Sequence, residues 1–100
     1  MRKVIQNGRV RVLYSPGWGS GFLTCGAPIE AIFDPELIQL IDEQNLQEAV
    51  DYVVRTYGCY TGGVPNLCIA EIPEGTRFII TEYDGSESID ILEEMNWITA

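Results

Sequence analysis

The chain is organised around the stretch Ser15-Pro16-Gly17-Trp18-Gly19-Ser20-Gly21, in which three glycines alternate with other residues. Ordering a glycine costs more backbone entropy than ordering any other residue, so this density indicates a sharp turn or a close approach to another group. The spacing is neither the dinucleotide-binding Gly-x-Gly-x-x-Gly nor the P-loop pattern, because no Gly-Lys-Ser/Thr follows. Residues 15–21 are called the glycine loop below.

The residues before the glycine loop predict a β-hairpin over positions 3–14. Its Asn7-Gly8 pair lies between two runs of β-prone residues, and both residues tolerate the positive φ of a type I′ turn. Because side chains alternate along a strand, Arg9 and Arg11 share one face of the second strand. We expect these two arginines to point toward solvent or a partner.

The residues after the glycine loop lead into a first helix. Residues 22–25 favour a short strand, and residues 29–33, although ambiguous, favour an extended conformation. Asp34 is a good N-cap and Pro35 is tolerated at the first helical position. A helix is therefore predicted to begin at this pair and to end near Gln44.

A second helix is predicted from Asn45 to Gly58. Asn45 and Glu48 have the spacing of a capping box, and Gly58 is the expected residue just beyond the C-terminal end. Apolar residues recur at helical spacing from Leu46 onward and form a stripe about 100° wide. We therefore expect this helix to lie across a sheet.

Three strands are predicted in the C-terminal part, at residues 67–72, 76–83 and 87–92. Turn residues at positions 73–75 and 84–85 separate them. The order is a β-hairpin, a loop, two consecutive helices and an antiparallel β-meander packed on them. This order predicts a single α+β domain over residues 1–100.

Charge is distributed unevenly along the chain, whose net charge is −9. Residues 1–29 carry four bases and no acid, whereas residues 30–100 carry all 15 acids and two arginines. A basic end beside the glycine loop can hold an anion, while the acidic remainder repels DNA. The alternative is that the acids only solubilise the helices. With no membrane-length apolar run and no signal-peptide core, we expect a cytoplasmic protein without membrane contact.

Neither a metal site nor a histidine-dependent triad is expected, because the chain has no histidine and no Cys-x-x-Cys spacing. Reduced, buried thiols are predicted for Cys25, Cys59 and Cys68. The acidic stretch 82–88 can in principle bind a divalent cation, but an acidic hairpin tip is usually solvated and the calcium-loop pattern is absent. Within it, Glu82 shares a face with apolar residues and is expected to point inward toward a ligand.

The glycine loop is the candidate ligand site. Its backbone N–H groups can form a nest for an anion, with serine hydroxyls as further donors, while nearby arginines reach a phosphate and aromatic rings stack on a base. The alternative is a tight Ω-loop in which Trp18 fills the core. The predicted ligand-binding residues are Arg9, Arg11, Ser15, Gly17, Trp18, Gly19, Ser20, Gly21, Tyr60 and Glu82.

Four stretches of the chain, residues 14–21, 73–78, 82–89 and 97–100, resemble small uncharacterised proteins encoded by tailed bacteriophages and prophages. The resemblance extends from Tyr14 to Ala100. Small phage proteins without catalytic motifs often counter host defence. Some are oligomeric sponges that sequester a host nucleotide signal, and others are acidic inhibitors that dock on a host enzyme. The resemblance therefore implies a phage protein with an anti-defence role in the host cytoplasm.

These observations leave three functional hypotheses. The first is a non-enzymatic homo-oligomer that needs no cofactor and sequesters a small anionic, nucleotide-like ligand at the glycine loop. The second is an acidic protein–protein inhibitor that acts through the acids of the helix pair, Asp42, Glu43, Glu48 and Asp51. The third and least supported is a small hydrolase that uses Glu82, Asp84 or Glu87.

Overall fold

The computed structural model describes residues 3–17, 21–58, 63–83 and 86–92, without the side chains of Cys25 and Leu92. The predicted α+β class and the predicted order of elements are confirmed. The regular elements of this part of the chain are β1 (Ile5–Gln6), β2 (Arg9–Tyr14), α1 (Pro35–Asp42), α2 (Leu46–Tyr57), β3 (Cys68–Pro73), β4 (Arg77–Tyr83) and β5 (Ser86–Leu92).

The predicted N-terminal hairpin is formed by β1 and β2, with Ile5 opposite Val10. The turn residues Asn7 and Gly8 have φ angles of 53° and 76°. Both angles lie in the left-handed region, as a type I′ turn requires. The Asn-Gly signal was therefore sufficient to place this turn to the residue.

The three C-terminal strands divide between two sheets. β3 runs antiparallel to β2, with Tyr14 opposite Cys68, and gives a sheet of order β1-β2-β3. β4 and β5 pair with each other in a separate hairpin. Val12 and Leu13 point to opposite faces of β2 and are both fully buried, which identifies β2 as a central strand covered on both faces.

Two segments that were expected to be extended form 3-10 helices instead, at Leu23–Cys25 and Ile29–Phe33. The predictions of a short strand and of an extended segment are therefore wrong. Ala31 and Ile32 are neighbours in sequence, yet both are buried. A strand would place them on opposite faces, whereas a helical turn lets both contact the core, so tertiary packing outweighed local propensity.

α1 begins at the predicted cap, and this cap also connects the two helices. Asp34, which is only 2% exposed, accepts the backbone N–H groups of Glu36 and Leu37 through Oδ1 at 3.0 and 3.4 Å. Its Oδ2 accepts the hydroxyl of Tyr52 at 2.7 Å and that of Tyr57. One buried carboxylate thus starts α1 and anchors two side chains of α2.

α2 has the predicted C-terminus but not the predicted capping box. Gly58 has a φ of 67° and its N–H donates to the carbonyl of Val54. The Asn45 side chain makes no capping hydrogen bond, so the box with Glu48 is wrong. α2 packs mainly on α1 and on the 3-10 turn Val64–Asn66, while α1 is the helix that contacts β2 and β3. The expectation that α2 lies across a sheet is corrected accordingly.

The tyrosines bound to Asp34 predict a loss of stability at alkaline pH. Burial, with the Asp34 carboxylate as the second cause, raises the pKa of Tyr52 and of Tyr57 above the ordinary value of 10.0. The unfolded chain therefore loses these protons at lower pH than the folded protein. The stabilisation is fully present below about pH 10 and decreases as the pH rises beyond it.

This prediction is tested by urea unfolding between pH 8 and pH 11.5. Tyr57→Phe is expected to flatten the alkaline decrease in the free energy of unfolding, because one of the two shifted groups is removed. Tyr83→Phe is the control, since Tyr83 is 77% exposed. An alkaline decrease of equal steepness in the wild type and in Tyr57→Phe would contradict the assignment.

Candidate functional site

The two ends of the glycine loop are held by a buried carboxylate, that of Glu87, which is 2% exposed. Its Oε1 accepts the N–H of Ser15 at 2.8 Å. Its Oε2 accepts the N–H of Phe22 at 2.9 Å, and the N–H and hydroxyl of Thr24 at 2.9 and 2.8 Å. Four donors around one carboxylate are the arrangement of a backbone nest that binds an anion. We call Ser15, Phe22, Thr24 and Glu87 the Glu87 clasp.

The start of β5 is attached to the same segment through the backbone. The N–H of Glu87 donates to the carbonyl of Ser15 at 2.8 Å, and the Ser86 hydroxyl donates to the carbonyl of Pro16 at 2.6 Å. The expectation that the acids of stretch 82–88 are solvated is therefore wrong for Glu87. The backbone N–H groups of Ser15 and Phe22 do bind an anion, but that anion is the protein's own Glu87 carboxylate.

The glycines in the described part of the loop permit close approach of other chain segments. A Cβ on Gly17 would come within 2.5 Å of the Asn66 side-chain nitrogen. A Cβ on Gly63 would overlap the carbonyl oxygen of Gly21. Gly17 does not have a positive φ. The sequence predicted either a sharp turn or a close approach to another group. The structure shows that Gly17 and Gly21 both lie close to another segment of the chain.

The charged residues predicted to bind a ligand differ in their contacts. Arg11 forms a bidentate ion pair with Asp42, with N–O distances of 2.5 and 2.9 Å. Hydrogen bonding in this pair lowers the pKa of Asp42 and raises the pKa of Arg11. Arg9 is exposed and has no ion pair within the described ranges. Glu82 is exposed on β4, so the expectation that it points inward is wrong. The buried acid of this hairpin is its cross-strand partner, Glu87.

Several sequence-based predictions concern residues that lie outside the described ranges. These residues are Trp18, Gly19, Ser20, Cys59, Tyr60 and Asp84. Cys68 is described, and its thiol is exposed, with the sulfur 3.8 Å from the carbonyl oxygen of Asn66. The prediction of a buried thiol is therefore wrong for Cys68, whose position at the end of the sheet leaves its side chain in contact with solvent.

A cleft of about 560 Å³ lies between β4 and the two 3-10 helices that follow the glycine loop. Seven of its nine lining residues are aliphatic or aromatic, and the polar ones are Thr76 and Arg77. The lining residues are Leu23, Ile29, Ile32, Phe33, Thr76, Arg77, Phe78, Ile79 and Ile80. The sequence did not predict this cleft, because one of its walls is formed by residues 23–33, whose two 3-10 helices were expected to be extended segments.

Arg77 is the one charged residue that lines the cleft, although the chain as a whole is acidic. Arg77 is exposed and has no acidic partner among the residues that the structure describes. The Lys3 ammonium lies 4.8 Å from the ring centroid of Phe33, which packs edge-to-face on Phe78 at 6.4 Å. Glu30 is exposed on the adjacent 3-10 helix but does not line the cleft. An anionic group at the cleft would therefore meet one cationic lining residue, Arg77.

One signal in the sequence pointed to the burial of Glu87. Glu87, Ile89 and Ile91 alternate along β5, and the two isoleucines pack against the core. An acid in register with an apolar face is expected to be buried and hydrogen-bonded. Its partners could not be found in this way, because they lie more than 60 positions away in the chain.

No protein-family model, curated protein or solved structure matches the chain. Within the described ranges, no three side chains of metal-ligating type come together in a way that would hold an ion. Among the same residues, no helix has the length and apolar character needed to cross a bilayer. The function must therefore be inferred from the geometry of the chain's own side chains.

Proposed function

We propose that the protein is a non-enzymatic binding protein that sequesters a small organic anion in the cleft beside β4. The observation that supports this most directly is the charge of the cleft. Its one charged lining residue is Arg77, in a chain of net charge −9. Largely apolar clefts with a few polar groups are the usual form of ligand sites, and a guanidinium binds carboxylate or phosphate in bidentate geometry.

The proposal keeps the sequestering function expected from the sequence but assigns it to a different site. At the glycine loop, the amides of Ser15 and Phe22 are hydrogen-bonded to Glu87, and Arg11 is paired with Asp42. These contacts leave fewer donors for a ligand at the loop. Arg77 has no such partner in the described structure, so the cleft is the better supported receptor.

The resemblance to small phage proteins extends the proposal to a biological role. The protein would act as an anti-defence sponge in the host cytoplasm, as a homo-oligomer, and without a cofactor. A nucleotide-like signal is the ligand that the sequence predicts. Sequestration, rather than turnover, is proposed because Glu87, one of the acids of the hydrolase hypothesis, is buried and its carboxylate already accepts four hydrogen bonds.

The proposal is tested by titration calorimetry against a panel of cyclic and linear mononucleotides and organic carboxylates. At least one anion is expected to bind with a Kd below about 10 μM, or about −7 kcal/mol. Arg77→Gln is expected to weaken this binding at least tenfold, because a hydrogen bond to a charged group contributes about 1.5–3 kcal/mol. The bound compound should be recovered intact after heat denaturation of the complex.

Two matched variants distinguish the cleft from other sites. Arg55 is also exposed but lies on α2, 3.5 Å from Glu48, so Arg55→Gln is expected to leave binding unchanged. Arg9 is one of the residues that the sequence predicted to bind a ligand at the glycine loop. If Arg9→Gln weakened binding while Arg77→Gln did not, the ligand would bind near the loop and the cleft assignment would be rejected. Absence of binding by every anion would reject the sequestering function.

The second candidate is an acidic inhibitor that docks through the helix pair. It is favoured by exposed acids beside exposed apolar side chains on α1 and α2, where Leu46 is 40% and Val54 44% exposed. A basic partner captured from host lysate would be released at high salt, since exposed charges are screened. Capture should be lost in the double variant Glu43→Gln, Asp51→Asn if this candidate is correct, and retained if another surface binds the partner.

A further inference from the structure

We infer that the anion bound by the cleft is a short acidic peptide, which adds as an extended strand to the edge of β4 that faces the cleft. This inference rests on the proposed function and names the class of its ligand. It follows from three observations: the position of the cleft beside the strand, the orientation of the backbone groups there, and the division of the β4 side chains between two faces.

The cleft runs along the edge of β4. Five consecutive residues of this segment, 76–80, line it. Because side chains alternate between the two faces of a strand, a cleft over one face would contact only every second residue. Contact with all five places the cleft beside the strand, with the 3-10 helices of residues 23–33 as its other wall. At about 3.3 Å per residue, this edge is about 13 Å long, which matches four or five residues of an extended peptide.

The orientation of the β4 backbone follows from that of Glu87. Glu87 lies opposite Glu82, and its N–H donates to the Ser15 carbonyl, on the side away from β4. In an antiparallel ladder, pairs that are hydrogen-bonded to each other alternate with pairs whose backbone groups point outward. Ile80 and Phe78 lie two and four positions from Glu82, in the same ladder. Their N–H and C=O groups therefore also point away from β5, toward the cleft.

These outward backbone groups call for a ligand that is itself a backbone. Within the residues that the structure describes, β4 pairs with β5 alone, and Phe78 and Ile80 make no backbone hydrogen bond to another segment. The largely apolar far wall offers them few partners, and an N–H or C=O group that is removed from water needs one. A peptide strand supplies donors and acceptors at the same spacing of about 7 Å, as in other peptides that add to a sheet edge.

The side chains on the two faces of β4 specify the peptide. Phe78 and Ile80 pack toward the core, whereas Arg77 and Ile79 lie on the other face. Asp90 of β5 is on that second face too, but a peptide would approach Arg77 from the side away from Asp90. A peptide residue opposite Arg77 would place its side chain beside the guanidinium, about 5 Å away between Cβ atoms. An acid there, with apolar residues opposite Phe78 and Ile80, complements the cleft.

The probe is the peptide acetyl-Ser-Leu-Thr-Leu-Glu-Ser-amide, whose blocked ends leave the glutamate as its one charged group. In antiparallel pairing, its leucines lie opposite Ile80 and Phe78 when its glutamate lies opposite Arg77. Calorimetric titration is expected to give a Kd below about 10 μM. Glutamine in place of the glutamate is expected to weaken binding to the wild type about tenfold, and to make no difference to binding by Arg77→Gln.

Backbone pairing is tested with N-methylated forms of the same probe. In the antiparallel arrangement the leucine amides face β4 and the threonine amide faces away from it. N-methylation of either leucine is expected to weaken binding at least tenfold, because it leaves a β4 carbonyl without a partner. N-methylation of the threonine is the matched control and is expected to leave the Kd nearly unchanged.

Hydrogen exchange reports on the same edge from the side of the protein. The amides of Phe78 and Ile80 are expected to exchange more slowly when the peptide binds, whereas that of Ile79, which faces β5, is not. Equal effects of N-methylation at all three positions, or unchanged exchange at Phe78 and Ile80, would overturn the inference. Slower exchange there at rising protein concentration without peptide would also overturn it, because a second copy would then cover the edge.

The failure of this inference is distinguishable from the failure of the proposed function. If a mononucleotide or a simple carboxylate bound in a manner dependent on Arg77 and the peptide did not, the ligand class would be wrong while the sequestering function stood. If none of the anions bound, the peptide included, both would be rejected. Circular dichroism of Arg77→Gln shows whether a loss of binding reflects a loss of fold.

Discussion

Replacing Glu87 by alanine is expected to lower the free energy of unfolding by about 3–5 kcal/mol. The variant would leave the amides of Ser15 and Phe22, both fully buried, without an acceptor, together with the two donors of Thr24. Each buried donor without a partner costs about 1–3 kcal/mol. Because Thr24 is itself exposed to water, its donors contribute less to the total.

Two further variants separate the roles of charge and shape at the clasp. Glu87→Gln keeps the volume but replaces an acceptor with an N–H₂ group that faces donors, so a loss of about 2–3 kcal/mol is expected. Glu82→Ala is the control, because Glu82 lies directly opposite on β4 and is exposed, and it should change stability by less than about 1 kcal/mol. The measurement is urea unfolding at pH 7.

The donors left by Glu87→Ala should accept an anion from solution. Acetate or formate at about 100 mM is expected to raise the unfolding midpoint of Glu87→Ala more than that of the wild type, because only the variant has an empty nest. If Glu87→Ala unfolded at the same urea concentration as the wild type, the hydrogen bonds of the clasp would not contribute to stability. The glycine loop would then have to be reconsidered as a ligand site.

Replacing Gly63 by alanine is expected to lower the free energy of unfolding by about 3 kcal/mol. The new Cβ would overlap the Gly21 carbonyl and lie 2.9 Å from the Ser15 hydroxyl oxygen. Gly63 has a φ of −81°, which any residue adopts, so the effect is purely steric. The segment that would have to move is held by Glu87 at Ser15 and Phe22, and it cannot relax without breaking the clasp.

The control for this variant is Gly75→Ala. Gly75 has a φ of 84° and open space around its Cβ position, so only backbone strain is expected, at about 1 kcal/mol. Urea unfolding of Gly63→Ala, Glu87→Ala and the double variant completes the test. Their effects should be less than additive, because both act on the same segment. Full additivity, or a Gly63→Ala loss no larger than that of Gly75→Ala, would contradict the packing described.

The Glu87 clasp weakens the case for the glycine loop as the ligand site. The loop has the backbone donors of an anion receptor, and the part that the structure describes uses them to hold β5 through a carboxylate. A negative charge is thereby placed at the site where the sequence predicted an anionic ligand. Arg11 is likewise paired with Asp42. Because the loop donors and Arg11 already have partners, whereas Arg77 has no acidic partner among the described residues, we place the ligand in the cleft and not at the loop.

The sequence alone determined those features whose cause is local. The turn at Asn7-Gly8 follows from residues that tolerate positive φ, and the start of α1 follows from an aspartate before a proline. The end of α2 follows from Gly58. In each case the decisive contacts lie within four residues of each other, so a short window of sequence contains the whole interaction.

The tertiary structure alone decided the features that depend on segments distant in the chain. The partners of Glu87 lie 63 to 72 positions away, and β3 joins β2 across the whole helical region. The cleft combines residues 23–33 with residues 76–80. The 3-10 turns that form one wall arose because packing against the core outweighed local preference. Spacing in the sequence contains no information on which distant donors meet a carboxylate, so these contacts required the folded chain.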